Sequence, residues 1–188
     1  MSALKNMSKS EIGQLIDECL GQNRSAQKIL YQEFYGFAMG ICLRYANNRY
    51  DATEILNKGF LKVFTSLNRY HHGFPFKAWL GEIMVDTSIG YYPGNLDTAS
   101  FDDLDTADYT TKEEWANTKS SYDDLLVKVQ QLPPNYRIVF NLYVIDGYSH
   151  KQISKMLNIN IRTSESNLLK ARMKLKEMIL KTNKNETG

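Results

Sequence analysis

Between Ser149 and Lys176 the sequence spaces polar and basic residues as a polyanion-binding surface would require. Ser149, followed three residues later by Gln152, is a capping box that opens a short helix with Ile153, Met156 and Leu157 facing inward. Asn158-Ile159-Asn160 makes a tight polar turn, and Asn160 is suited to cap a last helix built on Ile161, Leu168, Ala171, Leu175 and Ile179. A short helix, a brief turn and a longer basic helix form the helix-turn-helix pattern. In it the start of the second helix reaches base edges, while the first helix and flanking cations hold phosphates. The base-reading candidates are Arg162, Thr163, Glu165, Ser166 and Asn167. The backbone-holding candidates are Ser149, Lys151, Lys155, Lys170, Arg172, Lys174 and Lys176. Glu165 could accept from a cytosine amino group or stand as a solvated helix residue. The same geometry also occurs in bundles that bind no DNA.

The other constellation with chemical potential is His71-His72 beside Asp51, Glu54 or Asp86. Adjacent loop histidines diverge, however. His-Glu-x-x-His spacing and a phosphate-cradling glycine loop are both missing from the sequence, so an enzyme, a metal site or a cofactor is not expected.

Charge separates along the chain. Residues 1–96 hold 10 Lys and Arg against 8 Asp and Glu (net +2), residues 97–124 hold 2 against 9 (−7), and residues 125–188 hold 11 against 4 (+7). The basic third is therefore the part that would meet a polyanion. Cys19 and Cys42 lie in helical patterns without disulfide or zinc spacing, and the sequence shows no signal core or membrane span. The expectation is a cytoplasmic protein without membrane insertion.

The elements that must position these groups are all helical; the expected class is all-α, two small domains joined by an acidic linker. Ser8 and Glu11 cap a first helix that ends at Gly21. Helical periodicity predicts a second helix from Ser25 to about Asn47, a third from about Asp51 to Leu67, and a fourth opened by Pro75 and broken at Pro93-Gly94. Residues 95–120, rich in Asp, Thr and Ser, read as a linker between domains at 1–94 and 121–188. Periodicity resumes at Tyr122, and Leu132-Pro133-Pro134 separates that helix from a segment carrying Tyr136, Val139, Phe140, Tyr143 and Val144.

Leu132-Pro133-Pro134-Asn135-Tyr136-Arg137-Ile138-Val139-Phe140, the run from Gly147 to Ser154, Thr163-Ser164 and Lys170-Ala171-Arg172 resemble region 4 of extracytoplasmic-function sigma factors. The stretch from Asp51 to Phe64 and Phe76-Lys77-Ala78-Trp79-Leu80 resemble region 2 of the same family. The resemblance implies a non-enzymatic bacterial initiation factor that binds core RNA polymerase and promoter DNA, with an anti-sigma factor as a further conceivable partner. It places Asp51, Glu54, Asn57, Lys58 and Lys62 against the polymerase clamp. It also places Lys77, Trp79, Asp86, Thr87 and Tyr91 near the −10 element, and the helix-turn-helix on the −35 element. The acidic linker would thread the polymerase's RNA path; as composition alone, it is equally a solvated tether.

Two stretches depart from the family pattern. Asn57-Lys58 stands where the family has Gln-Glu, reversing one charge expected to face the polymerase. From Phe76 to Leu96 the charges are Lys77, Glu82 and Asp86, a net of 1 − 2 = −1, where the family is basic. Phosphate affinity comes mainly from cations that release counterions, so this face should hold DNA weakly. Stacking by Trp79, Tyr91 or Tyr92 would compensate, although Trp79 also reads as a core residue. Two rivals to a working initiation factor follow: a sigma-fold regulator that has lost promoter melting and acts through protein partners, and a DNA-binding repressor.

Overall fold

The computed structural model describes residues 7–91 and 122–186, and among these every regular element is helical. The expected linker at 95–120 and Tyr92 lie outside the described residues. The chain divides into two compact units, Met1–Pro93 and Gly94–Gly188.

In the first unit α1 spans Lys9–Leu20, α2 Arg24–Tyr45, α3 Arg49–Ser66 and α4 Phe76–Tyr91, with a single 3-10 turn at Leu67–Arg69 after α3. Each of the first three helices begins at a side-chain cap. Ser8 and Glu11 form the reciprocal box on α1, with Ser8 N–H donating to the Glu11 carboxylate at 2.8 Å. The Asn23 carbonyl accepts from the Ser25 and Ala26 amides, and that of Asn48 from the Asp51 amide at 2.9 Å. These two asparagines explain why α2 and α3 start one and two residues before the sequence reading. At the end of α1 the left-handed residue is Gln22 (φ 60°) rather than Gly21, whose own φ is −73°.

Burial then joins the helices. Ile16, Leu30, Tyr45, Ile55, Leu56, Leu80 and Met84 are all fully enclosed, so α1 to α4 share one core. At Gly59 α3 and α4 pack closely. A Cβ placed on Gly59 would collide with the Met84 sulfur and lie 2.9 Å from its Cε, so the backbones come this close because position 59 has no side chain.

In the second unit α5 spans Tyr122–Gln130, α6 Pro134–Phe140, α7 His150–Leu157 and α8 Ile161–Glu186. Pro133 and Pro134 start α6, as proline at a first helical turn does. A π turn at Asn141–Ile145 follows α6, a feature that apolar periodicity does not signal. Val129, Ile138, Val139, Leu142, Ile153, Leu168, Ala171 and Leu175 form the core. Two positions expected inside are not: Met156 and Ile161 are 38% and 44% exposed, each at a helix end where the apolar stripe runs off the contact.

The Gly59 contact is testable. Gly59→Ala gains helix propensity but overpacks an enclosed methionine, and should lower unfolding stability by about 1–3 kcal/mol in urea titrations. In combination with Met84→Ala the loss should fall below the sum of the single losses, because the clash is with that side chain.

Candidate nucleic-acid and polymerase interfaces

The helix-turn-helix is built by local hydrogen bonds. Ser149 N–H donates to Gln152 Oε1 at 2.9 Å, closing the capping box on α7. Asn158 ends α7 in the left-handed conformation (φ 52°, ψ 44°), which asparagine tolerates better than most residues. Ser154 Oγ donates to the Ile159 carbonyl at 2.6 Å, and Ile159 itself is buried, so the turn is pinned by a hydroxyl and an apolar side chain. The Asn160 carbonyl accepts from Thr163 N–H at 2.7 Å and starts α8.

On this frame Arg162 and Glu165 are exposed on the first turns of α8, with Thr163 and Ser166 half-buried beside them. Lys151, Lys155, Lys174 and Lys176 are exposed, and Lys170 and Arg172 half-exposed. Ser149 is exposed but its hydroxyl is occupied by the cap. Asn167 is the correction: it is 0% exposed and turned into the unit, so it cannot touch a base edge. Spacing placed it near the readout turn. The 100° advance per residue instead sets it beside buried Ser164 and Leu168 on the core face. Among the described residues neither its amide nitrogen nor its oxygen has a hydrogen-bond partner.

Two groups not singled out for function organise this unit. Arg137 is 0% exposed, and its Nη1 donates to the Gln130 carbonyl at 2.6 Å, so α6 caps the last turn of α5 with a cation. Arginine in the Pro-Pro-Asn-Tyr-Arg run gave no sign of this, because a buried arginine is rare without its carbonyl partner in view. His150 joins the two helices of the motif: its Nδ1 shares a hydrogen bond with Ser164 Oγ at 2.9 Å, and its ring stacks on Tyr143 at 4.4 Å and 23°. Burial holds its pKa below 6.5; Glu165 acts upward and Arg172 downward.

In the first unit the residues assigned to polymerase and to the −10 element meet one another. Tyr91 Oη donates to Glu54 Oε2 at 2.7 Å, Lys58 Nζ lies 2.8 Å from Glu54 Oε1, and the same ammonium sits 4.9 Å from the Tyr91 ring centroid. Lys62 Nζ contacts Asp86 Oδ2 at 3.1 Å. Lys58 and then Tyr91 hold the Glu54 carboxyl below its usual value. Thr87 is a second correction: it is 5% exposed and its hydroxyl donates back to the Ile83 carbonyl at 2.7 Å, which removes it from any DNA face. Trp79 is half-buried against Tyr70 and Phe76, Lys77 lies over the Phe37 ring at 5.5 Å, Asn57 is exposed, and Asp51 accepts from Asn47. His72 faces Asp17 of α1 at 3.4 Å rather than Asp51, Glu54 or Asp86, and among the described residues no cluster suited to a metal occurs. Among those residues no helix is long and apolar enough to cross a membrane.

Two measurements follow. A histidine whose folded pKa lies below its unfolded value favours folding fully above pH 6.5, and that contribution is lost as pH falls from 6.5 through the lower folded value. The thermal midpoint of the second unit should therefore drop between pH 7.5 and 5.5, and His150→Gln should flatten the dependence. For Asn167, replacing an unpartnered buried amide with an apolar group of similar branching should raise stability by about 1 kcal/mol. Calorimetry of Asn167→Leu should show that gain, with DNA affinity unchanged within about twofold.

Comparison with known proteins bears on both units. Residues 30–92 match the family described as Sigma-70 region 2, and residues 122–175 the family described as Sigma-70, region 4. The chain is 23% identical over 147 residues to the ECF RNA polymerase sigma factor SigE of Mycolicibacterium smegmatis, covering 75% of this chain and 56% of that protein. It is 23% identical to SigM of Bacillus subtilis (79% and 92% covered) and 22% identical to the sigma-E factor of Haemophilus influenzae (88% and 96%). A solved structure of CnrH in complex with the cytosolic domain of CnrY aligns with a TM-score of 0.45 at 17% identity, covering 88% of this chain and 94% of that one. With both sigma regions present, in order, over the two units described above, the chain belongs to the extracytoplasmic-function group of the sigma-70 family.

Proposed function

We propose that this chain is a transcription initiation factor that binds core RNA polymerase and reads the −35 element with the first turns of α8. The observation that carries the −35 assignment is the pair of exposed side chains, Arg162 and Glu165, projecting from a helix whose other face closes the core of the second unit. Arg162 suits a guanine edge and Glu165 a cytosine amino group. Lys151, Lys155, Lys170, Arg172 and Lys174 supply the phosphate contacts that hold the helix in register. In the first unit the exposed side of α3 around Asp51 and Asn57 docks on the polymerase, while α4 faces the −10 element.

The finer points rest on the family and on charge. The −7 segment at 97–124 complements a basic RNA path in the polymerase, and the protein works where polymerase does, in the cytoplasm. It acts by positioning rather than by catalysis, and an anti-sigma factor that covers its polymerase surface would regulate it.

The test is competition with the housekeeping sigma factor for core polymerase at near-physiological salt, followed by binding of the holoenzyme to a −35 duplex. Displacement of the housekeeping factor is expected; its absence would sink this reading. Arg162→Ala should weaken −35 binding by about 1–3 kcal/mol and relax preference at one base pair, whereas equal affinity would remove Arg162 from the reading set.

A further inference from the structure

Two lysines of α3 meet the acidic and aromatic face of α4. Lys58 and Lys62 stand on α3, and α4 carries Glu82, Asp86 and Tyr91 with Lys77 as its one cation. Lys58 and Lys62, four residues apart, lie on one face of α3. From there they reach Tyr91 and Asp86 on α4. Glu54 completes the set by binding Lys58 and the Tyr91 hydroxyl together.

Building on the sigma-factor assignment, we propose that Lys58 and Lys62 are positioning residues for promoter opening, which fasten the C-terminal half of α4 to α3 and neutralise its acidic face. The first consequence is electrostatic. Asp86 is 76% exposed and would repel a phosphate backbone; Lys62 at 3.1 Å cancels that charge where α4 itself offers no cation beyond Lys77. With Lys58, Lys62 and Glu54 included, the charge of the joint surface is 3 − 3 = 0 rather than the −1 of α4 alone.

The second consequence is orientation. Tyr91 is held at its hydroxyl by Glu54 and across its ring by Lys58, so its position is set from both ends. An exposed ion pair contributes little to stability by itself. Here three contacts from α3 converge on α4 between Asp86 and Tyr91, on a helix already locked to α3 at Gly59, and their effect falls on α4 placement rather than on folding. Lys58 thus serves both helices, its ammonium bound to Glu54 on α3 and lying over the Tyr91 ring of α4.

The experiment is a charge swap in the full chain. Lys62→Asp, Asp86→Lys and the double variant are compared for competitive binding to core polymerase, and for opening of a promoter selected with the wild-type chain, followed by 2-aminopurine fluorescence in the −10 element. Each single variant should keep core affinity within about twofold and slow opening roughly 3- to 10-fold, and the double variant should recover wild-type opening within about twofold. Lys58→Glu should slow opening in the same way, and Lys58→Arg should not. Loss of core affinity in Lys62→Asp that the double variant fails to restore would overturn the proposal, as would opening rates indifferent to every substitution. Unchanged thermal midpoints separate these outcomes from misfolding. A wild-type chain that does not bind core polymerase at all would mark the failure of the sigma assignment instead.

Discussion

The eight residues from His150 to Leu157 cannot hold a helix alone in water, because nucleation costs more than so few hydrogen bonds return. α7 exists because Ile153, Leu157 and Ile159 are buried where it packs on α8, alongside Leu168, Ala171 and Leu175. That apolar closure fixes the rotation of α8 about its axis, and the rotation decides everything polar. Arg162 and Glu165 point outward, while Ser164 and Asn167, two and five residues after Arg162, point in. His150 and Asn160 refine the junction, one by joining the two helices through Ser164, the other by capping the start of α8.

The same logic holds in the first unit with a different balance. Its core is continuous, and its surface charges are paired between helices. An α4 with few cations would be a poor partner for DNA if it stood alone, yet it is packed so closely on α3 that α3's lysines become part of its face. Electrostatic character here belongs to a pair of helices. A count of charge along one of them misses half of the groups that set the local potential.

Much of this architecture was legible in residues. Capping boxes at Ser8 and Ser149 located two helix starts, because the sequence signature is itself the hydrogen-bonding motif. Apolar spacing located the remaining helices and the class, and misplaced boundaries by the one or two residues that Asn23 and Asn48 add by capping. The π turn at Asn141–Ile145 escaped, since a segment of five residues is too short for its apolar spacing to distinguish one hydrogen-bond register from another. Of the base-reading candidates, Arg162 and Glu165 are exposed, whereas Asn167 is buried. Of the −10 candidates, Thr87 turned out to bond its own helix.

By itself the sequence determined the helical class, the helix-turn-helix, the segregation of charge and, through motif order, the family; these depend on local spacing and on composition, which one dimension records in full. The tertiary structure alone decided how the polar side chains are paired: Asn167 turned into the core, Arg137 bound to a helix end, and Lys58 and Lys62 set against Tyr91 and Asp86 of α4. The reason is physical. Exposure and pairing are set by the neighbouring helix, and residues 24 apart in sequence, as Lys62 and Asp86 are, come within 3.1 Å only after the core between them has closed.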